Sequence, residues 1–157
     1  MLKFIEQALN GLQYSALLFL LSAGLTLVFG IMNVINLTHG SFYMVGAFCA
    51  AAAAAATGSF LAAIVAAVAG AGVYGLLVEL LVVRHLYRRD HLDQVLATLG
   101  MVLFTNELVT VLFGRSPPFM DIPPALAGSV ELLPGLAYPV MRLAFIGAGV
   151  LVAVGLW

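Results

Sequence analysis

The chain has 157 residues, of which 64% are hydrophobic and only 8% are charged, and its formal net charge is −1. Soluble domains are about 45–50% apolar and about 25% charged, so this composition excludes an ordinary soluble globule and indicates a polytopic membrane protein. The small net charge gives no reason to expect a nucleic-acid partner. Cys49 has no second cysteine to pair with, and the three histidines are too scattered for metal ligation. We therefore expect neither a disulfide nor a metal site.

Five apolar segments follow along the chain. A hydrocarbon core about 30 Å thick needs roughly 20 helical residues, and the second segment is short for a complete crossing. The first segment is longer than the apolar core of a signal peptide, about 7–15 residues, so we interpret it as a retained membrane helix. The predicted fold class is all-α, a polytopic transmembrane helical bundle forming one domain over residues 1–157, without a soluble domain. The segments are expected at about residues 12–32, 42–57, 60–83, 95–113 and 140–157.

A charged loop after the third segment predicts the orientation of the chain in the membrane. It contains Arg84, Arg88 and Arg89, half of the basic residues in the chain. Short loops rich in Lys and Arg remain in the cytoplasm, which places the N-terminus outside and the Pro-rich stretch, residues 114–139, on the extracytoplasmic side. The prolines of that stretch predict a short cap with turns. We expect Arg142, at the start of the fifth segment, to extend toward the same surface.

Small residues dominate the second and third segments, in residues 47–58 and 62–75. Alanine and glycine let membrane helices approach closely, so these runs predict tight packing between the two segments. The alternative is that alanine serves here only as a good helix former.

A polar stretch, residues 30–47, joins the first segment to the second. If it is helical, then Asn33, Asn36, His39, Gly40 and Tyr43 lie within an arc of about 120°. Flanking glycines predict a bend or break, which suggests a broken or re-entrant second element. Two interpretations remain open. The stretch is either a solvated turn at the cytoplasmic interface, or an irregular element at membrane depth that faces a water-filled cavity and frames a substrate site.

The same stretch closely resembles the N-terminal signature of permease subunits from branched-chain amino-acid ABC importers. That pattern is a glycine-rich first helix ending in Phe29-Gly30, then Ile35-Asn36, His39-Gly40, and the aromatic-Met-x-Gly run of residues 42–46. Residues 80–89 and 96–109 resemble the family more loosely. Sugar permeases of the same superfamily lack the Asn-x-x-His-Gly run, whereas urea and short-amide permeases share it and stay open as alternatives.

The resemblance implies a channel subunit in the bacterial inner membrane, with the polar stretch on the translocation pathway. Its expected partners are a second permease subunit, cytoplasmic ATP-binding subunits and a periplasmic substrate-binding protein. ATP would be used by the partners, so this chain is expected to have no cofactor and to be no enzyme. Family members are nearly twice as long and carry a basic coupling loop in their later half. Either the sequence is truncated or a partner supplies the missing half, and truncation is the alternative we expect.

Two glutamates stand in the predicted helices. Glu79 lies close to Arg84 near the cytoplasmic end and is expected to be interfacial. Glu107 lies about twelve residues into the fourth segment, beside Thr105 and Asn106, where an ionisable group marks either a pathway or a buried structural pair. Buried pairing is the role we expect for Glu107.

Two other classes of function were weighed. A stand-alone channel or secondary carrier needs a selectivity filter or a row of intramembrane carboxylates, and the sequence shows neither. An intramembrane enzyme needs a nucleophile with a base at helical spacing. Ser41 lies two residues from His39, which puts them on opposite helix faces.

Overall fold

The computed structural model describes residues 2–32, 34–114, 123 and 126–157, so Asn33 and much of the Pro-rich stretch lie outside the described residues. The elements are mostly helical. In chain order they are α1 Leu2–Met32, α2 His39–Thr57, α3 Phe60–Val78, a π-helical segment Glu79–Val83, α4 Arg84–Leu86, α5 His91–Phe113, β1 Ser129–Leu133, β2 Leu136–Pro139 and α6 Val140–Leu156.

The predicted helical membrane bundle is confirmed. Among the described residues, four helices are long and apolar enough to cross a membrane, and they span Leu2–Ile31, His39–Thr57, Phe60–Leu86 and His91–Phe113. α6 is a shorter apolar helix. α1 begins ten residues before the predicted start, because its first three turns contain polar residues that hydropathy alone does not assign to a span.

A small β-hairpin departs from the all-α prediction. β1 and β2 pair antiparallel, with Ser129 opposite Pro139. Pro134 and Gly135 form the connection, and Gly135 has φ +85, a conformation that glycine adopts without strain. The Glu131 carboxylate accepts a hydrogen bond from the Gly135 N–H at 2.8 Å, which closes the turn. The hairpin lies in the stretch for which the sequence predicted a cap with turns.

The described chain divides into two compact units, Met1–Gly24 with Asp121–Trp157, and Leu25–Met120. In the first unit, Arg142 Nη1 donates to Asn10 Oδ1 at 2.5 Å. This hydrogen bond links the first turn of α6 to α1. Seven residues further along α6, a Cβ built on Gly149 would lie 2.9 Å from the Ala16 Cβ. Asn10 contacts Arg142, and the later Ala16 contacts the later Gly149, so α1 and α6 run parallel.

The second unit is built on α2 and α3, which share its largest helix–helix contact. Gly46 packs on the backbone of α3 at Ala67, where an added Cβ would lie 3.2 Å from the carbonyl oxygen. Gly70 packs against Cys49, and an added Cβ there would lie 2.5 Å from the Cys49 Sγ. The predicted close packing through small residues is therefore present, and it uses glycines as well as alanines.

The core of the second unit lies near the π-helical segment. Val34, Val78 and Val83 are buried together, with Phe42 and Tyr74 packed beside them. The segment Glu79–Val83 connects α3 to α4 without a break, so one helical rod continues to Leu86. A π turn rotates the residues after it relative to a regular α-helix, and this places both Val78 and Val83 on the inner face.

α2 is long enough for a complete crossing. Its 19 residues span about 28 Å, which matches the thickness of the hydrocarbon core. Thr38 contacts Thr98 at one end and Phe48 contacts Phe113 at the other, so α2 and α5 run parallel.

Candidate functional site

The predicted break lies ahead of α2, in residues 34–38. α1 continues past Gly30 to Met32, and α2 is uninterrupted at Gly46, so neither glycine is the breaking point. The residues between the helices are irregular, and the helical arc proposed for residues 33–43 therefore does not form as a whole. Asn36 precedes the helix. Only His39, Gly40 and Tyr43 of that set belong to α2, and Asn33 lies outside the described residues.

An Asn-centred turn starts α2. The Asn36 Oδ1 accepts a hydrogen bond from the Thr38 N–H at 2.9 Å. The Thr38 carbonyl then accepts from the N–H groups of Ser41 and Phe42, at 2.8 and 3.3 Å. Asparagine is suited to this position because its short amide hydrogen-bonds to backbone two residues on. Asn36 thus acts here through the backbone of the turn.

The turn is enclosed by protein. Asn36 is 6% exposed and Thr38 is 0% exposed, although both are polar. This burial is inconsistent with a solvated interfacial asparagine, the first of the two interpretations drawn from the sequence. The turn lies near the N-terminal end of α5. Thr38 Oγ1 donates to the Thr98 carbonyl at 3.3 Å, and Thr98 lies seven residues, about 10 Å, from the start of α5.

A glutamine on α5 holds the turn, and sequence reasoning missed it. Gln94 is 2% exposed. Its Oε1 accepts from the Ile35 N–H at 3.0 Å, and its Nε2 donates to the carbonyls of Leu86 and Arg89, at 3.2 and 3.1 Å. Buried polar groups are costly unless paired, and this amide is paired at both ends.

Buried threonines continue the same face of α5. Thr98 Oγ1 donates to the Gln94 carbonyl at 2.7 Å, and Thr105 Oγ1 donates to the Met101 carbonyl at 2.6 Å. Thr105 also forms a short hydrogen bond with the Tyr74 hydroxyl of α3. Gln94, Thr98 and Thr105 recur at spacings of four and seven in an otherwise apolar helix, and that periodicity was the signal available in the sequence.

The remaining motif residues differ in exposure. The His39 ring stacks edge-on to Phe42, with centroids 6.0 Å apart, and Phe42 meets Tyr74 in the same way at 6.0 Å. Gly40 is exposed, and a Cβ built there would meet nothing within 4 Å. Tyr43 is 64% exposed. The structure therefore separates a buried turn from an accessible surface on the first turns of α2.

The arginine-bearing loop is at the same end of the unit as the turn. Arg84, Arg88 and Arg89 are all exposed. The Tyr87 hydroxyl donates a short hydrogen bond to the Glu79 carboxylate. Partial burial, together with that hydrogen bond and the charge of Glu79, raises the pKa of Tyr87 to about 12.

Glu107 lies near the other end of α5. It is exposed in this structure, and the buried pairing expected from the sequence stays a prediction. Its place is six residues, about 9 Å, before the last residue of α5. Glu107 lines an open cavity of about 380 Å³ with Asn106 and Thr110, opposite Met44 and Phe48 of α2.

The chemistry available is hydrogen bonding and packing. Within the described ranges, no group of three or more His, Cys, Asp or Glu side chains is placed to hold a metal ion. Every fully buried side-chain nitrogen or oxygen in that part of the chain has a hydrogen-bond partner. The arrangement thus fixes backbone segments, and it leaves Tyr43 exposed and His39 partly exposed on the first turns of α2.

Comparison with known proteins places this architecture in a family. The family model described as "Branched-chain amino acid transport system / permease component" matches residues 7–157. The high-affinity branched-chain amino acid transport system permease protein LivH of Escherichia coli strain K12 is 30% identical over 122 residues, which are 72% of this chain and 40% of that protein. The corresponding BraD protein of Pseudomonas aeruginosa is 29% identical over 135 residues, 80% of this chain and 43% of BraD.

The LivH protein of Salmonella typhimurium is 29% identical over 122 residues, again 72% of this chain and 40% of the relative. The chain thus spans about two-fifths of the length of the curated relatives it matches. No solved structure matches it. The family model covers nearly the whole chain and agrees with the motif, the four membrane-length helices and the short apolar α6. The chain belongs to the permease-component family of branched-chain amino acid transport systems.

Proposed function

We propose that this chain forms part of the membrane permease of an ATP-driven importer for branched-chain or related amino acids. The observation that carries the proposal is the family match over residues 7–157. In the proposed importer, cytoplasmic ATP-binding subunits supply the energy and a periplasmic binding protein delivers the solute. A second permease subunit completes the pathway. The chain itself uses no cofactor and performs no covalent chemistry.

The proposed orientation places the N-terminus outside and the arginine-bearing loop in the cytoplasm of the bacterial inner membrane. Three exposed arginines in a short loop support this by the positive-inside rule. In that orientation the turn at Asn36 lies near the cytoplasmic end of the pathway. The cavity beside Glu107 lies near the extracytoplasmic end, where a delivered solute would enter.

The buried and the exposed residues of the motif have different proposed roles. Asn36 is buried and fixes the start of α2, so we assign it to shaping the pathway. Asn33 keeps the pathway role expected from the sequence. His39, Gly40 and Tyr43 lie on the first turns of α2, and Gly40 and Tyr43 are exposed. We assign these three residues to contact with the passing solute, with Gly40 leaving room for it.

The test is uptake by proteoliposomes that contain the complete permease and its partner subunits. Tyr43→Ala should lower the initial rate of leucine uptake by about tenfold, equivalent to about 1.4 kcal/mol of lost interaction in the transport cycle. Tyr14→Ala is the matched control, because Tyr14 of α1 has the same 64% exposure and lies outside the motif. Equal uptake by the two variants would remove Tyr43 from the pathway.

Substrate class is decided in the same assay. Excess unlabelled isoleucine or valine should compete with labelled leucine, whereas urea and short amides should not. Competition by urea or acetamide, with none by valine, would instead identify the chain as part of a urea or short-amide permease, the alternative that shares its motif.

A further inference from the structure

Gln94 joins two chain segments that are far apart in sequence. One is the turn ahead of α2, reached through the Ile35 N–H. The other is the arginine-bearing loop, reached through the carbonyls of Leu86 and Arg89. A side-chain amide has one acceptor oxygen and two N–H donors, and here both donors and the oxygen are used. The Gln94 amide is therefore a bridge between two backbones that have no other described hydrogen bond to each other.

The bridge is reinforced one turn further along α5. Thr38 Oγ1 donates to the Thr98 carbonyl at 3.3 Å, while Thr98 Oγ1 donates back to the Gln94 carbonyl at 2.7 Å. Val34, at the start of the turn, is buried against Val83, which belongs to the π-helical segment that leads to the loop. The turn is thus fastened to α5 and to the end of the α3 rod at the same depth.

We propose that Gln94 is a positioning residue that couples movement of the arginine-bearing loop to the turn ahead of α2. This inference rests on the proposed function, in which the loop lies in the cytoplasm, on the side of the membrane where the ATP-binding subunits act. A displacement of the loop carries the carbonyls of Leu86 and Arg89 with it. Through the Gln94 amide, that displacement reaches the Ile35 backbone and so changes the position of the first turns of α2, where Tyr43 is accessible.

Two substitutions separate this role from simple packing. Gln94→Glu keeps an oxygen that accepts from the Ile35 N–H, but it replaces the donor by a second oxygen facing the carbonyls of Leu86 and Arg89. It therefore breaks the loop side of the bridge and preserves the other side. Gln94→Leu removes both sides. Gln7→Glu and Gln7→Leu are the matched controls, because Gln7 is an exposed glutamine of α1.

The measurement is the number of ATP molecules hydrolysed for each solute imported, in proteoliposomes with the complete permease and its partners. Coupling free energies between sites are about 1–3 kcal/mol, a factor of about 5–150. Gln94→Glu and Gln94→Leu should therefore raise this ratio at least about fivefold, and the Gln7 variants should leave it unchanged. Loss of intact complex lowers uptake and hydrolysis together and leaves the ratio unchanged, provided that the assay counts only ATP hydrolysis that depends on the binding protein and solute.

Uptake and ATP hydrolysis that fall together at a constant ratio would overturn the proposal and reduce Gln94 to a packing role. Unchanged uptake and hydrolysis would overturn it equally. If the Gln94 variants fail to assemble, Thr38→Val tests the neighbouring link to the Thr98 carbonyl, and an unchanged ratio there contradicts the coupling. Absence of any ATP-driven uptake by the unmodified complex would instead refute the proposed function, which keeps the two failures distinct.

Discussion

Gly70 is the position where the helix packing makes its sharpest prediction. A Cβ built on Gly70 would lie 2.5 Å from the Cys49 Sγ and 2.9 Å from the Cys49 Cβ. Rotating the thiol relieves only the first contact, because the Cβ position is fixed by the backbone of α2. Gly70→Ala therefore forces α2 and α3 apart. Overpacking costs about 1–3 kcal/mol, and the helix propensity of alanine returns about 0.5–1 kcal/mol. We expect a net destabilisation of about 1–2 kcal/mol.

Gly72→Ala is the control for this substitution. Gly72 belongs to the same helix, and a Cβ built there meets nothing within 4 Å, so the added methyl should leave stability unchanged or raise it slightly. The free energy of unfolding can be followed by SDS titration of the purified permease, with helical circular dichroism as the signal. The double variant Cys49→Gly/Gly70→Ala should lose less stability than the sum of the two single variants, since contacting residues couple by about 0.5–3 kcal/mol. Equal stability of Gly70→Ala and Gly72→Ala would refute the close packing of α2 on α3.

Three further predictions concern the turn, the first unit and the hairpin. Asn36→Ala removes the acceptor for the Thr38 N–H and should lower stability by about 1 kcal/mol, measured by the same titration; Asn36→Asp, which keeps an acceptor oxygen, should lose less. Asn10→Leu leaves the Arg142 guanidinium without its bond to α1 and should lower the melting temperature, whereas Asn10→Asp should not. Gly135→Ala places a side chain at φ +85 and should destabilise by about 1 kcal/mol; no change in melting temperature would contradict the turn geometry.

Hydropathy was sufficient to predict the membrane helices, because their lengths are imposed by bilayer thickness. The ends of α3 and α5 agree with the predicted segments to within a few residues. The turn at Gly58 was also predictable, since φ +64 at a helix C-terminus favours glycine. Hydropathy did not predict where α1 begins. Lys3 and Asn10 are helical but polar, and Asn10 accepts a hydrogen bond from Arg142, which lies far along the chain.

The sequence predicted a polar break between α1 and α2, but it did not predict how the turn in that break is built. The motif residues indicated a polar break between α1 and α2, and the break is there. A helical wheel drawn through residues 33–43 was wrong because the Asn36 turn interrupts the helix, and only the Thr38 backbone hydrogen bonds reveal where α2 starts. Gln94 was overlooked because a lone glutamine in an apolar helix has many uses. Its partners are backbone groups, and backbone groups carry no signature in the sequence.

The most direct test of the import assignment is accumulation of labelled leucine by proteoliposomes holding the complete permease, its binding protein and its ATP-binding subunits. The assignment predicts uptake that requires hydrolysable ATP and continues when ionophores collapse all ion gradients. Uptake that proceeds without ATP and stops with the ionophores would contradict the assignment and identify a secondary carrier.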